Sequence, residues 1–240
     1  MKLLVLAAGY ATRLYPLTLD WPKPLLEVGG RPMLDRVLDV LAPVGADETY
    51  VVTNAKFAGA FREWAAGSAR EVTIVDDGTA EEETRLGAIG DIALVLERER
   101  VDDDLVVVAG DNLFSERLNG FPPRRDAPVL AVYDVGDLER IRQFNAIDIA
   151  EDGRIEFFEE KPADPRSTLT GIALYFYPKT VLALVRRYVE EGLNPDQPGR
   201  LVEWLYPRTP VYTWRVPGIW FDIGTHEQLA EADRIFSAQS

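Results

Sequence analysis

Apolar residues along this chain follow two rhythms, and the balance between them changes near the middle. Through the first 109 residues, short strand-like stretches rich in apolar and β-branched residues alternate with stretches in which apolar residues recur every three or four positions. The runs at 3–6, 48–53, 72–75 and 105–109 have the length and β-branched content of buried strands. Between them, Leu34, Val37, Leu38 and Leu41 follow Pro32 at helical spacing and stop before Pro43 and Gly45. Phe57, Phe61 and Trp64 mark a second helix over 56–66 as a core stripe, and Leu86, Ile89, Ala93 and Leu96 a third over 84–100. Glycine costs about 1 kcal/mol in a helix interior, so Gly87 and Gly90 near the start of that third helix indicate close backbone packing or a ligand there. Four strands alternating with three helices predict a parallel, doubly wound sheet with right-handed crossovers.

From Pro128 the chain becomes strand-rich, with runs at 129–133, 146–149, 154–158 and 172–177. A helix over 179–191 stops at Gly192. Short segments at 201–206 and 211–216 lead to Trp220-Phe221-Asp222, and a last helix runs from Thr225, with Gln228 completing a capping box, to about Ser237. There is no internal repeat.

Composition narrows the function classes. A chain of 240 residues, 47% hydrophobic and without an obvious linker, is expected to fold around one large core. No apolar run approaches the ~20 residues of a membrane span, and no signal-peptide pattern opens the chain, so a cytoplasmic location is expected. The absence of cysteine excludes disulfides, thiolate nucleophiles and zinc-thiolate sites, and His226 is the lone histidine. A formal charge of −14 opposes attraction to nucleic acid or an anionic membrane. Any anionic substrate must therefore meet local basic residues or a metal. The acidic runs 81–83 and 102–104 read as solvated surface.

The chemistry concentrates where the first strand ends. Residues 3–26 place a buried strand directly before a loop of small residues, Ala7, Ala8, Gly9, Tyr10, Ala11 and Thr12, followed by Arg13 and Lys23. Strand ends of this kind are where open α/β sheets bind ligands. Small residues let backbone N–H groups approach a phosphate, Arg13 offers a guanidinium fork and Lys23 a point charge, which together fit a polyphosphate. Neither the P-loop pattern nor the dinucleotide G-x-G-x-x-G is present. Ala7 to Thr18 followed by Pro22-Lys23-Pro24-Leu25 resembles the signature of the sugar-1-phosphate nucleotidylyltransferases, A-G-G-x-G-T-R-L-x-P-x-T then P-K-P-L. Ala8 and Ala11 replace two of its glycines, and a positive φ at either would strain alanine and weaken the triphosphate reading.

Further motifs follow in the order the family keeps. Gly110-Asp111-Asn112-Leu113-Phe114 resembles G-D-N-I-F, and Trp220-Phe221-Asp222-Ile223-Gly224-Thr225 resembles W-x-D-x-G-T. Two aspartates on strand ends suffice for magnesium, which is typically held by one or two carboxylates plus substrate phosphates. The resemblance makes Asp111 and Asp222 the metal ligands. Glu159-Glu160-Lys161-Pro162 resembles E-E-K-P, in which the lysine binds the sugar phosphate and the glutamate a sugar hydroxyl; Thr170-Gly171-Ile172 resembles a motif whose backbone lines the sugar pocket. Asn112 and Asn145 are further substrate-binding candidates, Asn145 because Phe144-Asn145-Ala146 replaces the family's Tyr-Gly. Thr84-Arg85-Leu86-Gly87-Ala88 stands where the base is bound, making Arg85 and Gly87 nucleotide-binding candidates.

The resemblance implies an α/β fold, a single three-layer αβα domain with a mixed, mostly parallel, Rossmann-like sheet. Residues 1–127 would form the nucleotide-binding half and 128–240 the sugar-phosphate half. The implied reaction joins a nucleoside triphosphate to a sugar 1-phosphate, with Mg2+ as cofactor and Arg13, Lys23, Asp111 and Asp222 as catalytic residues. The enzyme would act as a monomer or homo-oligomer. Two rivals share these residues: a cytidylyltransferase for a non-sugar phosphate such as phosphocholine, and a non-catalytic regulatory homologue. The base and the sugar stay open.

Overall fold

The computed structural model describes residues 1–238. Its first half forms β1 (Lys2–Leu6), the short pair β2 (Glu27–Val28) and β3 (Arg31–Pro32), α1 (Met33–Leu41), β4 (Glu48–Thr53), α2 (Ala58–Gly67), β5 (Thr73–Asp76), α3 (Ala88–Arg98), β6 (Leu105–Ala109) and β7 (Asn112–Phe114). The second half adds β8 (Val129–Asp134), α4 (Leu138–Ile141), β9 (Asn145–Ile149), β10 (Ile155–Glu160), β11 (Leu169–Tyr177), α5 (Leu182–Glu190), α6 (Pro198–Leu205), β12 (Tyr212–Arg215), β13 (Trp220–Asp222) and α7 (His226–Ser237).

Strands from both halves share one seven-stranded sheet in the order β12-β8-β11-β6-β1-β4-β5. β1 runs parallel to β4 and β6, β4 to β5, and β12 to β8, while β11 is antiparallel to both of its neighbours. The sheet is thus mixed and mostly parallel. Alternation along its strands builds two cores: Leu3, Val5, Val106 and Val108 face one layer, with α1 and Phe61 of α2. Leu4, Leu105 and Val107 face the other, with Ile92 and Leu96 of α3, Val185 of α5 and Leu201 of α6. Strand order reverses between β1 and β6, so the loops leaving these two strands open a crevice at their carboxyl ends. Two small pairings flank it, β10 with β9 and β13 with β7.

Three expectations from the sequence are corrected. The third helix begins at Ala88, not Thr84, because Gly87 takes φ 76° and a Cβ there would lie 2.7 Å from the Pro195 carbonyl oxygen. Residues 198–205, within which the segment 201–206 was to begin, form helix α6, with Pro198 in its first turn and Leu201, Val202 and Leu205 buried. The helix over 179–191 opens as a tighter 3-10 turn, Lys179–Val181. The capping box at α7 forms: Thr225 Oγ1 accepts from Gln228 N at 3.2 Å, and Gln228 Oε1 accepts from Gly224 N at 2.7 Å.

Candidate active site

The crevice holds a cavity of about 390 Å³, with two smaller ones of about 140 and 250 Å³ sharing its walls. Its centre is the meeting of three chain segments. Lys23, in a short 3-10 turn enclosed by Pro22 and Pro24, is buried and donates from Nζ to Asp111 Oδ2 at 2.5 Å. Asp111 follows β6, and Asn112 Nδ2 donates to its other oxygen at 3.1 Å. Trp220 Nε1 in turn donates to Asn112 Oδ1 at 2.6 Å, and the β13–β7 pairing sets Asp222 opposite Asn112. Burial opposes ionisation of Asp111, yet the Lys23 ammonium holds its carboxyl below the usual carboxylate range. Asp222 is pushed the other way, by burial and then by the Asp111 charge, with Lys23 and Arg13 opposing the rise.

Two oxygen-donor carboxylates that raise each other's charge cost make a fitting pair for a hard dication that retains waters and takes its remaining ligands from phosphates. Among the described residues no group of three or more His, Asp and Glu side chains forms a cage.

The glycine-poor loop reaches the same centre. Ala7, Gly9 and Ala11 line one small cavity with Lys23 and Asp111, and Ala11, Thr12 and Arg13 line the other with Asp222. Ala8 keeps a negative φ, and its carbonyl oxygen accepts from Asn54 Nδ2 at 2.9 Å. Ala11 sits in the left-handed region at φ 49°, ψ 42°, which costs a non-glycine residue about 1 kcal/mol or more. Thr18 Oγ1 donates to its carbonyl oxygen at 2.8 Å and Leu14 N at 3.0 Å, holding the turn against that strain. The loop carries less of the triphosphate reading than its motif implied, and the Lys23–Asp111 pair carries more.

Other predicted residues separate into those that face the cavity and those that do not. Arg85, Gly87, Gly171 and Glu160 line it. A Cβ on Gly171 would lie 2.5 Å from Leu130 Cδ2, so a larger residue there requires the Leu130 side chain to shift. The Asn145 amide bridges strands: its Oδ1 accepts from Gly171 N at 2.6 Å and its Nδ2 donates to Gly171 O at 3.0 Å. The Tyr10 side chain is 6% exposed and packs on Phe57, leaving its backbone for a ligand. Lys161 is exposed at the end of β10 with φ 50°, and its charge acts on Glu160 and Asp196. Burial raises the Glu160 carboxyl to about 7 despite Lys161 and Arg200.

Sequence reading missed Asp196, Asp91 and Trp220 as parts of this site. Asp196 pairs with both Nε and Nη2 of Arg85 at 2.8 Å, joining the two halves across the cavity. Asp91 left a signal: with Ala88 three positions before and Val95 four after, it falls on the apolar stripe of α3.

The sequence profile of the nucleotidyl transferases matches residues 2–239, and the chain belongs to this family. It is similar to a glucose-1-phosphate thymidylyltransferase of Neisseria meningitidis, 29% identical over 252 residues, covering 97% of this chain and 81% of that protein. A mannose-1-phosphate guanylyltransferase of Mycobacterium tuberculosis is 30% identical over 230 residues, covering 94% of this chain and 61% of the other. The chain spans 54% of the length of other curated relatives that it matches. A crystal structure assigned as a glucose-1-phosphate thymidylyltransferase from Bacillus anthracis, in complex with sucrose, superposes with a TM-score of 0.83 at 25% identity. That match covers 99% of this chain and 95% of the other.

Proposed function

We propose that this chain transfers a nucleotidyl group from a nucleoside triphosphate to a sugar 1-phosphate, releasing pyrophosphate. The observation that supports it best is the convergence of Lys23, Asp111 and Asp222 at the point where strand order reverses. Both substrates are anions, so the site's first task is to neutralise charge. Arg13 and Lys23 take the triphosphate, and Lys161 takes the sugar phosphate. Asp111 and Asp222 would hold magnesium, which supplies Lewis-acid neutralisation of the reacting phosphates. A sugar phosphate oxygen attacks the α-phosphorus in line, a new P–O bond forms, and the bond to the β-phosphate breaks with its electrons leaving on pyrophosphate. The attacking oxygen is already ionised at neutral pH, so no general base is required. The enzyme's contribution is positioning and electrostatic stabilisation. Glu160, whose carboxyl burial raises to about 7, would exchange hydrogen bonds with a sugar hydroxyl.

Pyrophosphate release measured across a panel of nucleoside triphosphates and sugar 1-phosphates tests the proposal. Turnover is expected with at least one pair, dependent on divalent metal and abolished in Asp111→Asn. No metal-dependent turnover with any pair overturns it.

A further inference from the structure

A second cavity, of about 650 Å³, opens between the Lys23 turn and helices α1 and α2 and shares no lining residue with the crevice. The turn separates the two: Lys23 and Pro24 line the crevice, whereas Trp21, Leu25 and Leu26 line this cavity. Its walls set two indoles beside carboxyl groups. Trp21 is 44% exposed and its Nε1 donates to Leu25 O at 3.2 Å, while Trp64 Nε1 donates to Asp35 Oδ1 at 3.2 Å. Both indole N–H groups are thus satisfied within the chain, and what the rings offer a ligand is aromatic surface. Glu27 and Glu63 line the same cavity and make no ion pair or hydrogen bond among the described residues. The arginines of the adjoining segments are engaged with other groups: Arg31 with Asp39 at 2.8 Å, Arg62 with Asp76 at 3.4 Å, and Arg70 with Asp39, its second nitrogen lying 3.9 Å from Asp35. No basic side chain lines the cavity.

We propose that this cavity binds an organic ammonium ion with an apolar body, at a site separate from the transfer centre and independent of the reaction proposed there. Cavities of roughly 300–1,000 Å³ are the ones that take small molecules. A neutral apolar ligand would cover Trp21 and Trp64 but remove water from Glu27 and Glu63 without replacing it. An anion would meet the same carboxylates with no basic group to offset them. A bare metal ion requires converging oxygen ligands, and among the described residues no group of three His, Asp or Glu side chains forms to hold one. An alkyl- or arylammonium matches both parts of the wall. Its carbon body is complementary to Trp21, Trp64, Leu25 and Leu26, and its charge is attracted by the indole faces and by the two unpaired carboxylates. The net charge of −14 favours the approach of a cation from a distance.

The test is calorimetric titration of the full chain with benzyltrimethylammonium chloride, with benzyl alcohol and sodium benzoate as neutral and anionic ligands carrying the same ring. Saturable one-to-one binding is expected for the ammonium, binding about ten-fold weaker for the alcohol, and none for benzoate. Glu27→Gln combined with Glu63→Gln should weaken the ammonium about ten-fold by removing both countercharges while keeping the shape of the wall. Trp21→Ala should weaken it about two- to five-fold, the scale of one exposed cation–π contact. A thermal melt establishes that each variant is folded. No saturable binding of the ammonium, benzyl alcohol binding as tightly, or an unchanged affinity in the folded glutamine variant overturns the inference. A dimer in sedimentation that Trp21→Ala dissolves and the ammonium leaves intact would assign this face to a second copy of the chain and overturn it as well. If the glutamine variant fails to fold, the ranking of the three ligands on the wild type decides.

Discussion

Asp111 and Asp91 line the same cavity, yet the fold treats their carboxyl groups in opposite ways. At Asp111 burial works against ionisation, but the Lys23 ammonium 2.5 Å away overcomes it and keeps the group charged. At Asp91 burial has no cation to offset it, the Asp77 charge adds to it, and the carboxyl rises to about 8. Glu160, at the other end, resembles Asp91, raised to about 7 chiefly by burial. Asp111 is therefore held in its charged form, whereas Asp91 and Glu160, and Asp222 beside Asp111, are pushed toward protonation. Charge at the centre suits phosphates and their counterion, while neutral carboxyls suit the polar but uncharged edges of a base and a sugar.

The comparison can be broken at several points. The largest effect is expected from Lys23→Ala, which removes the cation that keeps Asp111 ionised and the contact proposed for the triphosphate. Pyrophosphate release should fall by about 10²–10³-fold, the range for losing one electrostatic donor in an active site. A loss below ten-fold would place the reacting phosphates elsewhere.

Next is the pH dependence of stability. An Asp91 carboxyl raised to about 8 in the fold, from its ordinary 3.8, makes the native state bind more protons than the unfolded chain between those values. Stability is then full at the acid side of that window and falls as pH rises through it. Asp91→Asn removes this loss, and urea unfolding should show the wild type losing on the order of 3 kcal/mol more than the variant between about pH 5 and about pH 9. Equal losses would put Asp91 among ordinary carboxylates.

The smallest effect is at Ala11. Ala11→Gly relieves the left-handed conformation and should raise stability by about 1 kcal/mol in thermal unfolding, with turnover changed less than two-fold. A destabilised Ala11→Gly would mean that the loop does not hold φ 49° in solution.

Much of this was legible in the chain because local rules dominate its first half. The parallel strands at 3–6, 48–53, 72–75 and 105–109 are short stretches of apolar and β-branched residues, and the parallel sheet follows from their alternation with helices. Helix α6 escaped because it opens with Pro198-Gly199, which read as loop punctuation; Leu201, Val202 and Leu205 are too few turns to establish a helical period. Lys23, Asp111 and Asp222 were legible as motifs. Their meeting depends on the β13–β7 pairing, which joins residues more than a hundred positions apart. The Arg85–Asp196 pair is hidden for the same reason. Asp91 was visible as an acid on an apolar helical face, but its partner, Asp77, lies across a loop whose acidic residues look uniformly solvated.

The contrast between centre and wall is tested most directly by an NMR titration of assigned side-chain carboxyl carbons. Asp111 is expected to titrate below the ordinary aspartate value of 3.8, and Asp91 at about 8. Substitution Lys23→Ala should move Asp111 upward and leave Asp91 in place. An Asp91 that titrates with the surface aspartates, or an Asp111 that rises beside it, would contradict the opposite treatment of these two carboxyl groups.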